Sequence, residues 1–304
     1  MISEGAAVKT VLRILNLKKS TYYRRIKVSE EDRTPVKRKP RSVPGFSYNH
    51  CKEVVLDTRI KEYIEEIRAD ETGKCYGYKK ITAKLRREYN LKISKKKVYR
   101  LMKEMRMLKK KIRGKRKYPR ICRNHKITAS NKLWEMDTKY VFIGETRQVA
   151  YLTSVIDVFD RSIVGCKLSL SPDKETAKQV LLEALLERGL LDGGNGLTLR
   201  TDNGSQFIAY EFEKMLIKYD IEHERIPVHS PNYNAHIESY HRYLQDECIE
   251  GVIFKSIEDA ETTIYNFVYR YNHYRIHSSI DYRTPFEFYS LISSNFKDKL
   301  VVSL

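Results

Sequence analysis

The spacing of apolar residues divides the chain into a helical first part and a mixed second part. Residues 8–25 predict two short helices about a turn at Asn16–Ser20, with Val11, Leu12, Ile14 and Leu15 as one buried face and Ser20 as a cap for the second helix. Ile60, Tyr63, Ile64 and Ile67 recur at helical spacing, Gly73 and Gly77 break the chain, and Ile81, Leu85 and Tyr89 start a second periodic run. Val98, Leu101 and Met102 form a third, reached through the short polar link Asn90–Ser94, as in helix-turn-helix units. From Leu133 the period changes to that of strands. Leu133–Ile143, Val149–Val158 and Arg161–Leu170 predict three strands joined by hairpins. Lys174–Arg188 predicts a helix, Gly193, Gly194 and Gly196 a loop, Leu197–Thr201 a strand, Gln206–Tyr219 a helix and Ile221–Ile226 a short strand. Asn234–Ile249 and Ile257–Tyr274 predict two more helices. The expected fold class is α/β, a mixed five-stranded sheet flanked by helices and preceded by an all-α helix-turn-helix region.

Composition assigns these parts different work. The chain has 304 residues, 41% hydrophobic and 32% charged, enough to build two domains with a sizeable core. Its net charge of +19 is split unevenly: residues 1–130 carry 39 Lys/Arg against 13 Asp/Glu, whereas residues 131–304 carry 19 against 26. The first part is suited to grip phosphate and points to nucleic acid. An anionic membrane face is the weaker reading, because no apolar run approaches the roughly 18 residues of a membrane helix. Pro35, Pro40 and Pro44 lie among basic residues in a linker. The expected organisation is an N-terminal helix-turn-helix-like segment at 1–29, a basic linker at 30–57 and a helix-turn-helix DNA-binding domain at 58–108. A basic tether follows at 109–130, a catalytic core with C-terminal helices at 131–292 and a tail at 293–304.

The third helix of the DNA-binding domain carries Lys95, Lys96, Lys97, Arg100 and Lys103, and the preceding run carries Lys79 and Lys80. Such a helix is a candidate groove reader, against the plainer reading of a solvated basic face. The tether, with Lys110, Arg113, Lys115 and Arg116, suits phosphate without base specificity. Cys51, Cys75, Cys122, Cys166 and Cys248 are scattered and contain no C-x-x-C pair, which fits a reducing compartment rather than a disulfide framework or zinc site.

Three acids carry the candidate chemistry. Asp137 stands inside the first strand of the second part, in Trp134-Glu-Met-Asp137-Thr-Lys-Tyr140. Asp202 ends the fourth strand, in Arg200-Thr-Asp202-Asn-Gly204-Ser-Gln-Phe207, where open sheets place ligands. Glu238 begins a helix, in Asn234-Ala-His-Ile-Glu238-Ser-Tyr-His241-Arg242. If strands one and four are neighbours, Asp137 and Asp202 face each other and the helix brings in Glu238. Converging carboxylates repel one another unless hard divalent cations sit between them. Mg²⁺ prefers such oxygen ligands, and two ions suit in-line attack at phosphorus. Each acid also has a plain structural reading, as a strand-end residue, a turn former and a solvated helix acid. Asp157 and Asp160 compete for the carboxylate role; His273 and His277 read as structural or phosphate-contacting.

Asp202 and Glu238 have thirty-five residues between them. With Asp137, this resembles the D,D,35,E pattern of DDE transposases and retroviral integrases, and more closely the transposases of insertion sequences of the insertion-sequence-three type. The resemblance spans residues 59 to about 290. Tyr76-Gly-Tyr-Lys-Lys-Ile81 and Val98-Tyr-Arg-Leu-Met102 resemble that family's helix-turn-helix, and Trp134–Tyr140 and Val155-Ile-Asp-Val-Phe-Asp-Arg-Ser-Ile-Val-Gly165 its first strands. Tyr271-Asn-His-Tyr-Arg-Ile-His277 and Thr284-Pro285 resemble its C-terminal signature. The resemblance implies an RNase H-like core with Asp137, Asp202 and Glu238 as catalytic residues and ligands of two Mg²⁺, with Mn²⁺ able to substitute. It implies cleavage at transposon ends and joining of a 3′-hydroxyl to target DNA without a covalent protein–DNA intermediate. The implied partners are double-stranded DNA, further copies of the chain on DNA and an upstream-frame protein, with this chain as the second-frame catalytic product. The implied place is the bacterial cytoplasm, at the nucleoid. One departure concerns the position seven residues after the Glu, usually Lys or Arg in that family and here Gln245; Arg242, one turn earlier, is expected to take the phosphate contact.

A tyrosine recombinase is the rival basic, DNA-bound enzyme, but no His in the chain has Arg three residues on. A DNA-binding regulator with an inactive core is the non-enzyme rival, and it gives no reason to keep all three acids. An RNase H-type ribonuclease would share the core but not the basic helix-turn-helix half.

Overall fold

The computed structural model describes residues 7–26, 44–108, 127–193, 196–227 and 231–301. The chain forms two compact units, Met1–Gly45 and Phe46–Leu304. The first contains α1 (Val8–Ile14) and α2 (Lys19–Ile26), joined by a turn through Asn16 at φ 51°. The predicted four-residue apolar face is narrower than expected: Val11 and Leu12 are buried, whereas Ile14 and Leu15 are 73% and 57% exposed. Ser20 is the second residue of α2 rather than its cap.

The second unit begins with strands where the sequence predicts a linker. β1 (Phe46–Asn49) pairs with β2 (Val54–Leu56) as an antiparallel hairpin. β3 (Leu91–Lys92), inside the predicted helix-turn-helix link, pairs with β1 on its other side. The region expected to bind DNA is therefore not all-α. The linker's residues 30–43 and most of the tether lie outside the described residues.

The three predicted helices follow as α3 (Asp57–Ala69), α4 (Tyr78–Arg87) and α5 (Lys95–Glu104). Their apolar stripes meet in one core of Ile60, Ile64, Ile67, Ile81, Leu85, Val98, Leu101 and Met102. Ser94 caps α5 by accepting from the Lys97 amide. Ile276, from far along the chain, completes this core, and its amide donates to Tyr76 Oη at 3.2 Å. Arg87 and Glu287 make a paired contact nearby, at 3.0 Å between Nη1 and Oε2. The helix-turn-helix region thus packs on the C-terminal segment.

The central sheet has the order β6-β5-β4-β7-β8. β4 (Leu133–Ile143), β5 (Gln148–Asp157) and β6 (Ile163–Ser169) form the antiparallel meander, and β7 (Leu197–Thr201) and β8 (Ile221–Arg225) add in parallel. α6 (Lys174–Arg188) and α7 (Tyr210–Lys218) cover one face, with Trp134, Met136, Val155, Val180, Leu181, Phe212 and Leu216 between the layers. α6 starts at its cap Asp173 and stops at Gly189, which takes the left-handed φ of 65° that glycine adopts without strain. Gly165 lets this helix approach β6, since a Cβ there would stand 2.8 Å from the Val180 carbonyl oxygen. α8 (Ala235–Leu244) and α9 (Ile257–His273) cover the other face, packing Ile237, Tyr240, Leu244, Ile264 and Phe267 on Val141, Leu152 and Ile156. A π-helical turn, Gln245–Ile249, ends α8, and α10 (Pro285–Val301) runs past the predicted end of the core at 292. No helix among the described residues is long and apolar enough to cross a membrane.

Candidate active site

Strand alternation determines which side chains reach the site. In β4, Trp134 and Met136 enter the core under α6 and α7, so Glu135 and Asp137 face the other way, toward α8. Parallel pairing sets Glu135 beside Arg200 of β7. Asp137 and Asp202 each stand two residues further on, at the carboxyl end of β7. Asp202 turns the chain there by accepting the Gly204 amide at 2.9 Å. Asp137 Oδ1 accepts the Thr138 amide at 2.8 Å, and its Oδ2 lies 3.5 Å from His241 Nδ1. α8 supplies both His241 and Glu238.

Asp202 and Glu238 each feel the charge of Asp137. Burial raises the pKa of Asp202, and the charge of Asp137 raises it further. Burial likewise raises that of Glu238, with Asp137 and then Glu135 adding to the effect and Arg242 opposing it. A carboxylate held near others at the half-buried end of a sheet resists ionisation, and a cation in its place of repulsion would reverse that. As a donor set, three carboxylates from three elements fit a hard divalent ion. Among the described residues, no three His, Cys, Asp or Glu side chains are drawn together as a metal cluster.

The competing acids are engaged elsewhere. Asp157 accepts from the Asn131 and Phe159 amides, both at 2.7 Å, and from Trp134 Nε1 at 3.1 Å. Asp160 pairs with Arg188 at 3.1 Å, and both are buried. His277 is buried beside Tyr271, and its pKa falls well below the ordinary value because of burial and then the nearby Arg275. His273 stacks between Tyr269 and Phe286.

The basic candidates divide by orientation. Lys79, Lys95 and Lys96 are exposed, whereas Lys97 and Arg100 turn inward to Asp57 at 2.5 and 2.7 Å. Lys80 lies 4.8 Å from the ring centre of Tyr76. Lys110, Arg113, Lys115 and Arg116 lie outside the described residues. Arg242 is exposed, with Nη2 3.4 Å from Ser239 Oγ. Gln245 is half-buried and keeps helical angles, φ −60° and ψ −54°, at the start of the π-turn.

Sequence reasoning passed over His241, which lies 3.5 Å from Asp137, and Glu135 with its partners Arg200 and His236. The available signal was parity, since Glu135 and Arg200 stand two residues before Asp137 and Asp202 in their strands.

This arrangement, a carboxylate-bearing mixed sheet following a basic helical unit, defines a class that comparison with known proteins makes specific. The integrase core domain matches residues 127–231 and again 219–285, and an HTH-like domain matches 56–116. The chain is 31% identical over 222 residues to an uncharacterised 39.2 kDa protein of insertion element IS476 from Xanthomonas euvesicatoria, covering 72% of this chain and 61% of that one. It is 31% identical over 164 residues to the transposase of insertion sequence element IS904 from Lactococcus lactis, covering 54% of this chain and 63% of that one. The chain thus spans just over three fifths of the length of these relatives. The HTLV-2 integrase catalytic core domain in complex with magnesium matches 52% of this chain and 96% of its own, at 17% identity and a TM-score of 0.38. The chain belongs to the integrase-core proteins that include the transposases of insertion sequences.

Proposed function

We propose that the chain is a DNA transposase that cleaves the 3′ ends of an insertion sequence and joins them to target DNA by metal-dependent phosphoryl transfer. The observation that carries this reading is the parallel pairing of β4 with β7, which sets Asp137 and Asp202 each two residues beyond the partners Glu135 and Arg200, with Glu238 on the helix whose His241 lies 3.5 Å from Asp137, in a unit that also holds the helix-turn-helix region. Asp137, Asp202 and Glu238 would hold two Mg²⁺, or Mn²⁺ in their place. Such ions, when bound, supply charge neutralisation and an activated attacking oxygen. Water breaks the terminal phosphodiester and leaves a 3′-hydroxyl; that hydroxyl then forms a new P–O bond in target DNA as another breaks. No protein–DNA bond forms. Copies of the chain are expected to assemble on DNA, with an upstream-frame protein as a further partner and the bacterial nucleoid as the place of action. The test uses duplexes made from the DNA that flanks the gene, at the inverted repeats expected there. Mg²⁺ or Mn²⁺ should produce a nick with a free 3′-hydroxyl at the repeat end, and chelation should abolish it; cleavage that persists in chelator contradicts the reading.

The orientation of α5 separates its lysines. Lys95→Ala with Lys96→Ala should flatten the slope of log affinity against log salt by roughly 0.9 per lost phosphate contact. Lys97→Ala should leave that slope unchanged, because Lys97 is engaged by Asp57. A salt series with the end duplex checks both, and an unchanged slope in the double variant would remove α5 from the DNA surface.

Arg242 and Gln245 stand on adjoining turns beyond Glu238. Gln245→Lys should tighten end binding and steepen its salt dependence, because a charged contact is roughly twice as strong as a neutral one. Arg242→Ala should weaken end joining more than Gln245→Ala does. Equal small effects of these two, measured by joining yield, would contradict a phosphate contact by Arg242.

A further inference from the structure

α8 lacks a cap of its own. The side chain of its N-cap residue, Asn234, accepts no bond from the first turn, and its Oδ1 is buried without a partner. The role passes to a strand residue more than a hundred positions away in sequence. Glu135 Oε2 accepts from the amides of His236 at 3.0 Å and Ile237 at 2.9 Å, the first-turn donors that a cap ordinarily satisfies. Its Oε1 lies 2.8 Å from His236 Nδ1 and 3.6 Å from the Arg200 guanidinium. Arg200 is held in turn: it donates through Nε to Glu224 at 3.1 Å and through Nη1 to the Tyr233 carbonyl at 3.0 Å, just ahead of α8. Glu135, Arg200 and Glu224 are successive register partners across β4, β7 and β8.

This arrangement is costly for mere capping. Glu135 is fully buried and Arg200 is 3% exposed. A buried charge is tolerated only when it is paired and hydrogen-bonded throughout, whereas a Ser or Asp at position 234 would cap the helix locally without burying an ion pair drawn from two strands. A strand-borne cap does one thing that a local cap cannot: it ties the helix start to the strand that carries Asp137. Glu238 follows Ile237 directly, so its backbone is fixed one residue beyond the tie.

We propose that Glu135, braced by Arg200, is a positioning residue that sets the distance between Glu238 and Asp137. The proposal rests on the active-site reading above, and the full chain tests the two separately through hydrogen exchange and end cleavage. In Glu135→Ala, the His236 and Ile237 amides should exchange at least about 10-fold faster while β5 keeps its protection. Cleavage should fall about 10²-fold, the scale of a 1 Å misplacement, with end-DNA affinity within a few-fold of wild type. Glu135→Gln retains an oxygen for both amides and should recover most of the protection and of the rate. In Glu238→Gln, cleavage should be lost while the His236 and Ile237 amides stay protected.

Unaltered cleavage in Glu135→Ala with unprotected amides overturns the positioning role, as does a Glu135→Gln variant no better than Glu135→Ala. Should Glu135→Ala not fold, Glu135→Asp, one methylene too short to reach the amides, replaces it with the same two outcomes. Full cleavage by Glu238→Gln would sink the active-site reading, and the positioning role with it. A dead Glu238→Gln beside an active Glu135→Ala sinks the positioning role alone.

Discussion

Asp137→Asn, Asp202→Asn and Glu238→Gln are each expected to lose end cleavage and joining by at least about 10³-fold, while binding of the DNA end stays within a few-fold of wild type. The magnitude follows from removing a ligand of a cation worth several kcal/mol to the transition state, at about 1.4 kcal/mol per tenfold. The division between chemistry and binding follows from the charge distribution, since the positive excess lies in residues 1–130. Asp202 and Glu238 are also the two acids whose protonation Asp137 favours. Amide variants remove a charge from this cluster, so the three proteins should fold at least as stably as wild type in the absence of metal. Near-normal cleavage in Mg²⁺ by any one of them would remove that residue from the site, and loss of DNA binding alongside cleavage would assign it to the DNA surface instead.

The largest effect on stability is expected at Arg188. Its guanidinium pairs with Asp160 at 3.1 Å and stacks on Tyr289 of α10 at 3.8 Å from the ring centre. Asp160 and the adjacent Asp157 are completely buried. Arg188→Ala leaves Asp160 buried without its ion-pair partner and beside the second buried carboxylate, and breaking a buried pair from one side costs about 3–5 kcal/mol. The loss should depend on pH. The Asp157 carboxyl is pushed up to about 6, chiefly by burial and then by the charge of Asp160. A carboxyl whose folded-state pKa is raised favours folding fully below its ordinary value near 4, and that contribution is lost as pH rises through 6. Without Arg188 the penalty above pH 6 is larger, so the deficit of the variant should shrink as pH falls from 7 to 5. Urea unfolding of both proteins at the two pH values checks this, and a deficit that stays constant or grows on acidification contradicts it.

Most of the central sheet and its helices was legible in the sequence because local signals agreed there. α6 coincides with the predicted Lys174–Arg188, where a helical apolar period lies between Asp173 as cap and Gly189 in the left-handed region. β7 coincides with Leu197–Thr201, where Leu197 and Leu199 alternate into the core. The placement of Asp137 near Asp202 was legible only on the condition that their strands were neighbours, and the parallel pairing of β4 with β7 meets it. What escaped the sequence is what long-range pairing decides. β1, β2 and β3 have four, three and two residues, too few to show alternation, and become strands by pairing with one another. Lys97 looked like Lys95 and Lys96 because a run of like residues does not reveal which one faces Asp57 across the helix bundle. Glu135 gives no signal of its role because its partners, Arg200 and the start of α8, are distant in sequence. The widening of α8 into a π-turn at Gln245–Ile249 left no periodic trace either, since Leu244 and Cys248 still fall on the buried side.

Strand transfer with purified components tests the central claim most directly. The full chain is mixed with a duplex bearing the terminal repeat of the element, labelled on the strand that ends in the transferred 3′-hydroxyl, and with a supercoiled target plasmid. The products are then denatured and extracted from protein. In Mg²⁺ the label should enter the plasmid through a new phosphodiester and leave the protein fraction unlabelled, and chelator or Asp202→Asn should prevent transfer. Label retained covalently on the protein, or transfer that proceeds in chelator, would contradict a carboxylate-and-metal phosphoryl transferase.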